Sequence, residues 1–317
     1  MGGITLEDVI YARDLVKAFN GKEVVKGISF SVRQGECFGL LGPNGAGKSS
    51  TVKMIYCFLP VTSGILKVLG MDVQEKAREI KKKIGVVAQE NNLDNELTVL
   101  GNLLVYASFF NLPKREARLK AEELLAFFGL EEYQHKKVET LSGGMKRRLT
   151  IARALIHSPE ILILDEPTTG LDPQARHLVW QRLRSLKERG VTLLLTTHYM
   201  DEAVQLCDRL IIIDMGRILE SGRPRDLIGR HVGETLLEIR GDPGIWDSIL
   251  ENGRAYIKEH MIVGDTILLY PTDGQALIQA LRPVSDRFFH QTLRPATLED
   301  VFLKLTGRGL VDEFSEA

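Results

Sequence analysis

Up to about Gly222 the chain alternates two textures. Short runs that are almost wholly apolar occur at Cys37–Leu41, Ile161–Leu164, Thr192–Thr196 and Leu210–Asp214. Runs without polar alternation predict strands buried on both faces, as in a largely parallel sheet. Between them, Lys48–Cys57, Gly144–His157 and Pro173–Arg189 carry helical spacing. Strand, helix, strand in succession predicts an α/β fold with right-handed crossovers.

The pattern changes after the turn-rich Ser221-Gly222-Arg223-Pro224. Thr235–Arg240, Arg254–Glu259, Thr266–Tyr270 and Phe288–Leu293 predict strands. Ile245–Glu251 and Gln275–Leu281 predict helices, and Leu298–Leu305 predicts a closing helix. The order β-α-β-β-α-β is that of a split βαβ plait. In the closing helix Leu298, Val301, Phe302 and Leu305 recur at helical spacing, which buries one face. This second region carries no phosphate loop, metal cluster or nucleophile constellation, so a regulatory or dimer-supporting role is expected of it.

A chain of 317 residues fits one large domain and one smaller one. Lys plus Arg number 41 against 42 for Asp plus Glu, a balance that speaks against a nucleic-acid partner. Cys37, Cys57 and Cys207 are widely spaced and read as reduced thiols, with Cys37 and Cys57 as small buried hydrophobes. No apolar stretch reaches the length of about 18 to 20 residues that spans a bilayer. Met1–Asp8 carries acids and no apolar signal core, so no secretory leader is expected there.

Gly42-Pro43-Asn44-Gly45-Ala46-Gly47-Lys48-Ser49 fits the phosphate-loop pattern G-x-x-x-x-G-K-[ST]. An apolar strand precedes it and a helix follows, which is the context the motif needs. Its backbone N–H groups and the helix N-terminus suit phosphate oxygens. Lys48 is expected at the β- and γ-phosphates of ATP, Ser49 on Mg²⁺, and Ser50 at the α-phosphate.

The run Ile161-Leu162-Ile163-Leu164 ends in Asp165 and Glu166. That places both acids at the carboxyl edge of the sheet, where ligands bind in such folds. Asp165 is expected to hold Mg²⁺ and Glu166 to act as general base on the attacking water. Gln89 and His198 each follow an apolar strand at the same edge. Gln89 is expected at Mg²⁺ and the water, and His198 at the γ-phosphate. Phe19 lies before the phosphate loop, where an aromatic ring can stack on a nucleobase.

Leu141-Ser142-Gly143-Gly144-Met145 resembles the signature of ABC-type ATPases. Phe19, the Gly42–Ser49 loop, Gln89, Ser142–Met145, Asp165–Glu166, Gly170-Leu171-Asp172-Pro173 and His198 stand in that family's order. The resemblance covers residues from about 9 to 222. It implies a RecA-like P-loop ATPase core with an antiparallel β subdomain and a helical subdomain at about 91–157. The cassette then spans 1–228, and a small ferredoxin-like α+β domain spans 229–317. In the family, Ser142, Gly143, Gly144 and Met145 face the partner's ATP in a head-to-tail sandwich, with Leu171 and Asp172 at the interface. The implied partners are a second ATPase subunit, as a homodimer, and a separate transmembrane permease. The implied location is peripheral, on the cytoplasmic face of the plasma membrane.

His135–Arg148, with Met145 where many members have Gln, resembles the drug-resistance and nodulation-factor exporters. So does Leu298–Gly307, and Pro167–Arg184 resembles the lipo-oligosaccharide branch. The expected function is an ABC exporter ATPase with a drug-like or lipo-oligosaccharide-like cargo. The alternative is a non-transport ABC ATPase acting in translation or DNA maintenance. Translation factors of this type usually carry two cassettes, and DNA-repair types insert a coiled coil for which Gln89–Gln181 leaves no room. Asn91–Leu100 is expected to meet the permease, with Leu93, Leu97, Val99 and Leu100 partly exposed.

Overall fold

The computed structural model describes residues 8–307. Part of the leader reading and the tail of the expected C-terminal domain therefore lie outside the described residues. A contact boundary between Ser221 and Gly222 divides the chain into two compact units, earlier than the boundary expected after residue 228.

The first unit is built on a six-stranded sheet. Its spatial order is Arg217–Gly222, Arg209–Asp214, Cys37–Leu41, Thr192–Thr197, Ile161–Asp165, Ile84–Val87. Cys37–Leu41 runs parallel to both its neighbours, and Ile161–Asp165 runs parallel to both of its own. Every residue of these two strands is buried, which is why neither shows polar alternation. The parallel register brings Gly42, Glu166 and His198, each just past a strand end, to one edge.

A second, antiparallel sheet has the order Lys22–Arg33, Asp8–Phe19, Ser63–Val68, Met71–Asp72. Leu15, Ile28, Val32 and Leu66 from this sheet share one core with Phe38, Leu40, Ile55 and Ile163. Cys37 and Cys207 are buried, whereas Cys57 is only half-buried, a correction to its reading as a core residue.

Three helices, Val99–Ser108, Lys114–Phe128 and Gly143–Ala154, form the helical part of this unit. The Thr98 hydroxyl caps the first by accepting from Gly101 N at 3.0 Å. Val99 and Leu100 are buried, at 0% and 6% exposure, against the expectation of an open surface. Their N–H groups donate to Lys136 and Gln134 carbonyls at 2.9 and 3.0 Å, so a distant segment folds over them. Leu93 and Leu97 are half-buried.

The second unit opens with the helix Pro224–His231 and continues as a four-stranded sheet. Its order is Ile257–Val263, Thr266–Pro271, Thr235–Gly241, Phe288–Pro295, and each neighbouring pair is antiparallel. This is the split βαβ arrangement that the sequence order predicts. Trp246, Ile249, Leu277 and Leu281 from two helices pack on Leu237, Ile239, Ile267 and Leu269 from the sheet. The strand expected at Arg254–Glu259 instead runs Ile257–Val263. The preceding helix extends to Gly253, and a turn closed by Tyr256 N donating to Gly253 O at 2.8 Å uses up the residues between.

Candidate nucleotide site

The phosphate loop folds as its glycines require. Gly42 lies where a Cβ would meet Ile213 O at 2.1 Å, so no larger residue fits against the neighbouring strand. Gly47 has φ of 101° and sits under Val24 O, and the helix Lys48–Ile55 begins at the next residue. Lys48 is buried, and its Nζ donates to Gly42 O at 2.8 Å and Pro43 O at 2.9 Å. Asn44, Gly45, Ala46, Gly47, Lys48, Ser49, Ser50, Gln89, Glu166 and Val24 line a cleft of about 450 Å³.

The acids close the opposite wall. Asp165 Oδ1 accepts from Ser49 Oγ at 3.3 Å and from Thr196 Oγ1 at 2.5 Å. Glu166 Oε2 accepts from Thr169 Oγ1 at 3.1 Å and from Gln89 Nε2 at 3.4 Å. Glu166 Oε1 lies 3.3 Å from His198 Nδ1 and 4.0 Å from Lys48 Nζ. The His198 contact is the largest influence on Glu166. With help from Lys48 and Thr169 it outweighs burial and holds the carboxyl below the ordinary glutamate range. Glu166 is therefore ionised at neutral pH.

The backbone under Glu166 is strained, with φ of 47° on a non-glycine residue. Such a conformation costs about 1 to 3 kcal/mol and persists only where neighbours over-determine it. Glu166 N donates to both Thr196 O and Thr196 Oγ1 at 3.1 Å, which fixes the turn from one side.

The fold brings Lys48, Ser49, Gln89, Asp165, Glu166 and His198 together. Phe19 ends its strand 42% exposed, with Lys17 Nζ 4.8 Å from its ring centroid, and is not among the cleft-lining residues. Ser142 caps the helix Gly143–Ala154, its Oγ accepting from Met145 N at 3.3 Å. Ser142 and Gly143 are exposed, and Gly144 and Met145 are half-buried; none of the four lines the cleft. Asp172 caps the helix Pro173–Glu188 by accepting from Ala175 N at 2.9 Å, and Leu171 beside it is half-buried.

One residue was not singled out by the sequence. Arg147 is 4% exposed, and its guanidinium donates to five backbone carbonyls. Nε reaches Pro167 O at 2.7 Å, and Nη1 reaches Ala88 O at 2.6 Å and Gln89 O at 3.3 Å. Nη2 reaches Asp165 O and Glu166 O, both at 3.0 Å. Burial pushes its pKa down to about 10, against the pull of Glu202, Asp165 and Glu166, so it remains protonated at neutral pH.

A family profile described as "ABC transporter" matches residues 25–169. A second, described as "Nodulation factor export protein NodI, C-terminal domain", matches residues 248–307. The Nod factor export ATP-binding protein I of Burkholderia orbicola is 48% identical over 302 residues, covering 95% of this chain and 97% of that protein. The chain belongs to the ABC transporter ATP-binding family, in its nodulation-factor-export branch. The Rhizobium meliloti protein of the same name is 48% identical over 299 residues, covering 94% of this chain and 88% of its own. Among solved structures, cbiO1 of Clostridium perfringens, part of the ABC transporter complex cbiONQ, superposes with a TM-score of 0.66 at 28% identity. That match covers 70% of this chain and 90% of that one. The cassette MJ0796, solved as a dimer in a post-hydrolysis state with ADP and Pi, superposes with a TM-score of 0.62 at 28% identity. It covers 68% of this chain and 98% of that one.

The ABC-family match makes this chain a nucleotide-binding ATPase whose hydrolysis is coupled to export. The non-transport alternative is set aside, because export proteins match both units of the chain. Among the described residues no helix is long and apolar enough to cross a membrane.

Proposed function

We propose that two copies of this chain clamp two Mg·ATP molecules between them and drive a separate membrane permease that exports a lipo-oligosaccharide. The observation that carries the reading is the setting of Glu166. An ionised carboxylate faces a phosphate-loop cleft and is flanked by Lys48, Gln89, His198 and Thr169. In this reading Glu166 accepts a proton from the attacking water, Gln89 orients that water and His198 contacts the γ-phosphate. The Gly42–Gly47 backbone and Lys48 hold the β- and γ-phosphates, Ser50 holds the α-phosphate, and the exposed Phe19 ring stacks on the base.

The donors near Asp165 fit a hard divalent cation. Ser49 Oγ and the Asp165 carboxylate already stand 3.3 Å apart, and Gln89, which lines the same cleft, could supply an amide oxygen. Mg²⁺ held by Ser49, Asp165 and Gln89 would neutralise charge developing on the transferred phosphoryl group.

Ser142, Gly143, Gly144 and Met145 are assigned to the partner's γ-phosphate. Support comes from their position outside the subunit's own cleft and from the dimeric relative. Leu171 and Asp172 are assigned to the same interface. The cargo is assigned from relatives named for Nod factor export and from the matching C-terminal profile. The subunit is placed at the cytoplasmic membrane face, held there by the permease. The cassette is assigned to 1–228 and a non-catalytic accessory domain to 229–317.

Glu166→Gln tests the central claim. Removal of a general base lowers kcat by about 10²- to 10⁴-fold. ATP binding should persist, and gel filtration should show an ATP-dependent dimer accumulating. A variant that stays monomeric with ATP and hydrolyses at the parent rate would sink the assignment.

A further inference from the structure

The signature helix Gly143–Ala154 is fastened to the catalytic loops along one side. Arg147 donates to carbonyls of Ala88, Gln89, Asp165, Glu166 and Pro167. Thr150 Oγ1, whose proton goes to Lys146 O at 2.9 Å, lies 3.3 Å from Asn91 O, and Arg153 Nη1 donates to Asn92 O at 2.6 Å. These three residues recur every third position, so the helix is joined to the segment after Gln89 at successive levels. Ser142, at the same helix's N-terminus, lies about 7 to 8 Å further along the axis at 1.5 Å per residue. A shift of the helix that follows engagement of Ser142 is carried to these carbonyls, because the guanidinium is a rigid planar fork.

The carbonyls concerned are those of the catalytic residues themselves. Gln89 and Glu166 each present the side chain to the cleft and the backbone oxygen to Arg147. The Glu166 turn is strained, and Thr196 holds only its N–H side. On the carbonyl side Arg147 Nη2 donates to Glu166 O at 3.0 Å, the shorter of two bonds there, beside Thr169 N at 3.4 Å. Without it only the 3.4 Å bond from Thr169 N is left on that oxygen, and the strained turn, φ of 47°, can relax and shift the carboxylate.

We propose that Arg147 is a positioning residue that ties engagement of the signature segment to the placement of Glu166 and Gln89 within the same subunit. The proposal rests on the ATP-sandwich reading above for what Ser142 engages. It gives each subunit a direct route by which occupancy of the partner's site sets the geometry of its own. Arg147 touches no substrate and acts only through the backbone of residues that do.

The test uses the purified full-length chain. Arg147→Gln should lower kcat by about 10- to 100-fold, the scale of a small displacement of a catalytic group. KM for Mg·ATP, and the affinity of the monomer for a fluorescent ATP analogue, should stay close to the parent's. Arg147→Lys keeps the charge without the fork and should give an intermediate kcat, and it carries the same test if the glutamine variant does not fold. The tie itself is read by a double-mutant cycle. Ser142→Ala should lower kcat much less in the Arg147→Gln background than in the parent. A parent-like kcat, a loss of kcat matched by equal loss of monomer affinity, or additive costs in the cycle would each overturn the proposal. Failure of the sandwich reading is seen separately, as absence of an ATP-dependent dimer in Glu166→Gln alone.

Discussion

Lys48, Asp165 and Glu166 in the cassette, and Arg294 and Asp300 in the C-terminal plait, are two clusters of charge withdrawn from water. They are resolved differently. Arg294 Nη1 and Nη2 hold Asp300 Oδ2 and Oδ1 at 2.8 and 2.7 Å, and Arg294 Nε holds Glu238 at 3.0 Å. Thr297 N and Oγ1 also donate to Asp300 Oδ2, at 2.8 and 2.9 Å, fastening the start of the helix Leu298–Thr306. Those bonds bury Asp300 almost completely while Arg294 stays partly exposed. Lys48 and Glu166, by contrast, stand 4.0 Å apart and both line the open cleft beside the phosphate loop. Buried charge bonded back into its own fold maintains that fold, whereas buried charge lining a cleft does chemistry.

The sharpest break of this contrast comes from the cleft. Lys48→Ala removes the cation that offsets phosphate charge and should weaken nucleotide binding by about 100-fold, the scale of losing a charged hydrogen bond. Ser142→Arg should leave monomer affinity near the parent's while abolishing ATP-driven dimerisation. Titration of monomers by fluorescence separates the two, and equal loss in both would contradict the partner-site assignment.

The plait should respond in stability instead. Asp300→Ala leaves Arg294 without its bidentate partner and should cost about 3 kcal/mol in the C-terminal unit, read by chemical denaturation. Nucleotide affinity should not move, and if it falls the two clusters are not separate in role. The pH dependence follows from the same contacts. Burial pushes Asp300 up, but Arg294 and Thr297 outweigh it and leave its pKa below the ordinary value of 3.8. A depressed carboxyl stabilises the fold above that value and loses its contribution as pH falls through the lower, folded one. The parent should therefore lose stability below about pH 4, and Asp300→Ala should lack that component.

The smallest effect is expected at the half-buried Leu93 and Leu97. Replacing both with Glu should reduce association with membranes carrying the permease and leave ATPase activity in solution mostly intact. Unchanged membrane association would count against a permease contact at this surface.

Most of the nucleotide site was legible in the sequence because phosphate chemistry constrains short, contiguous segments. The glycines of Gly42–Gly47 and the acids ending Ile161–Asp165 each declare their place locally. Arg147 was hidden by its neighbours, since Lys146-Arg147-Arg148 reads as a solvated basic run. A signal was present, because Arg147, Thr150, Ile151 and Ala154 share one helical stripe and all four are buried. A charge on an apolar stripe needs partners, and these came from segments too distant in sequence to be seen. The burial of Val99 and Leu100 was missed for the same reason, as the Gln134–Lys137 stretch that covers them pairs only in the fold. In the plait the order of elements was readable from periodicity, but the strand at Ile257–Val263 was misplaced because helix and turn residues before it share its mixed polarity.

The left-handed backbone of Glu166 sets this chain's tolerance of change against its activity. A glycine at that position would adopt the same turn without strain, but it would give up the carboxylate's bonds to Thr169 and Gln89. The residue that suits the backbone lacks the carboxylate. Hydrolysis therefore needs a strained turn, and the chain places it at the end of a fully buried strand, where neighbours on the sheet can hold it.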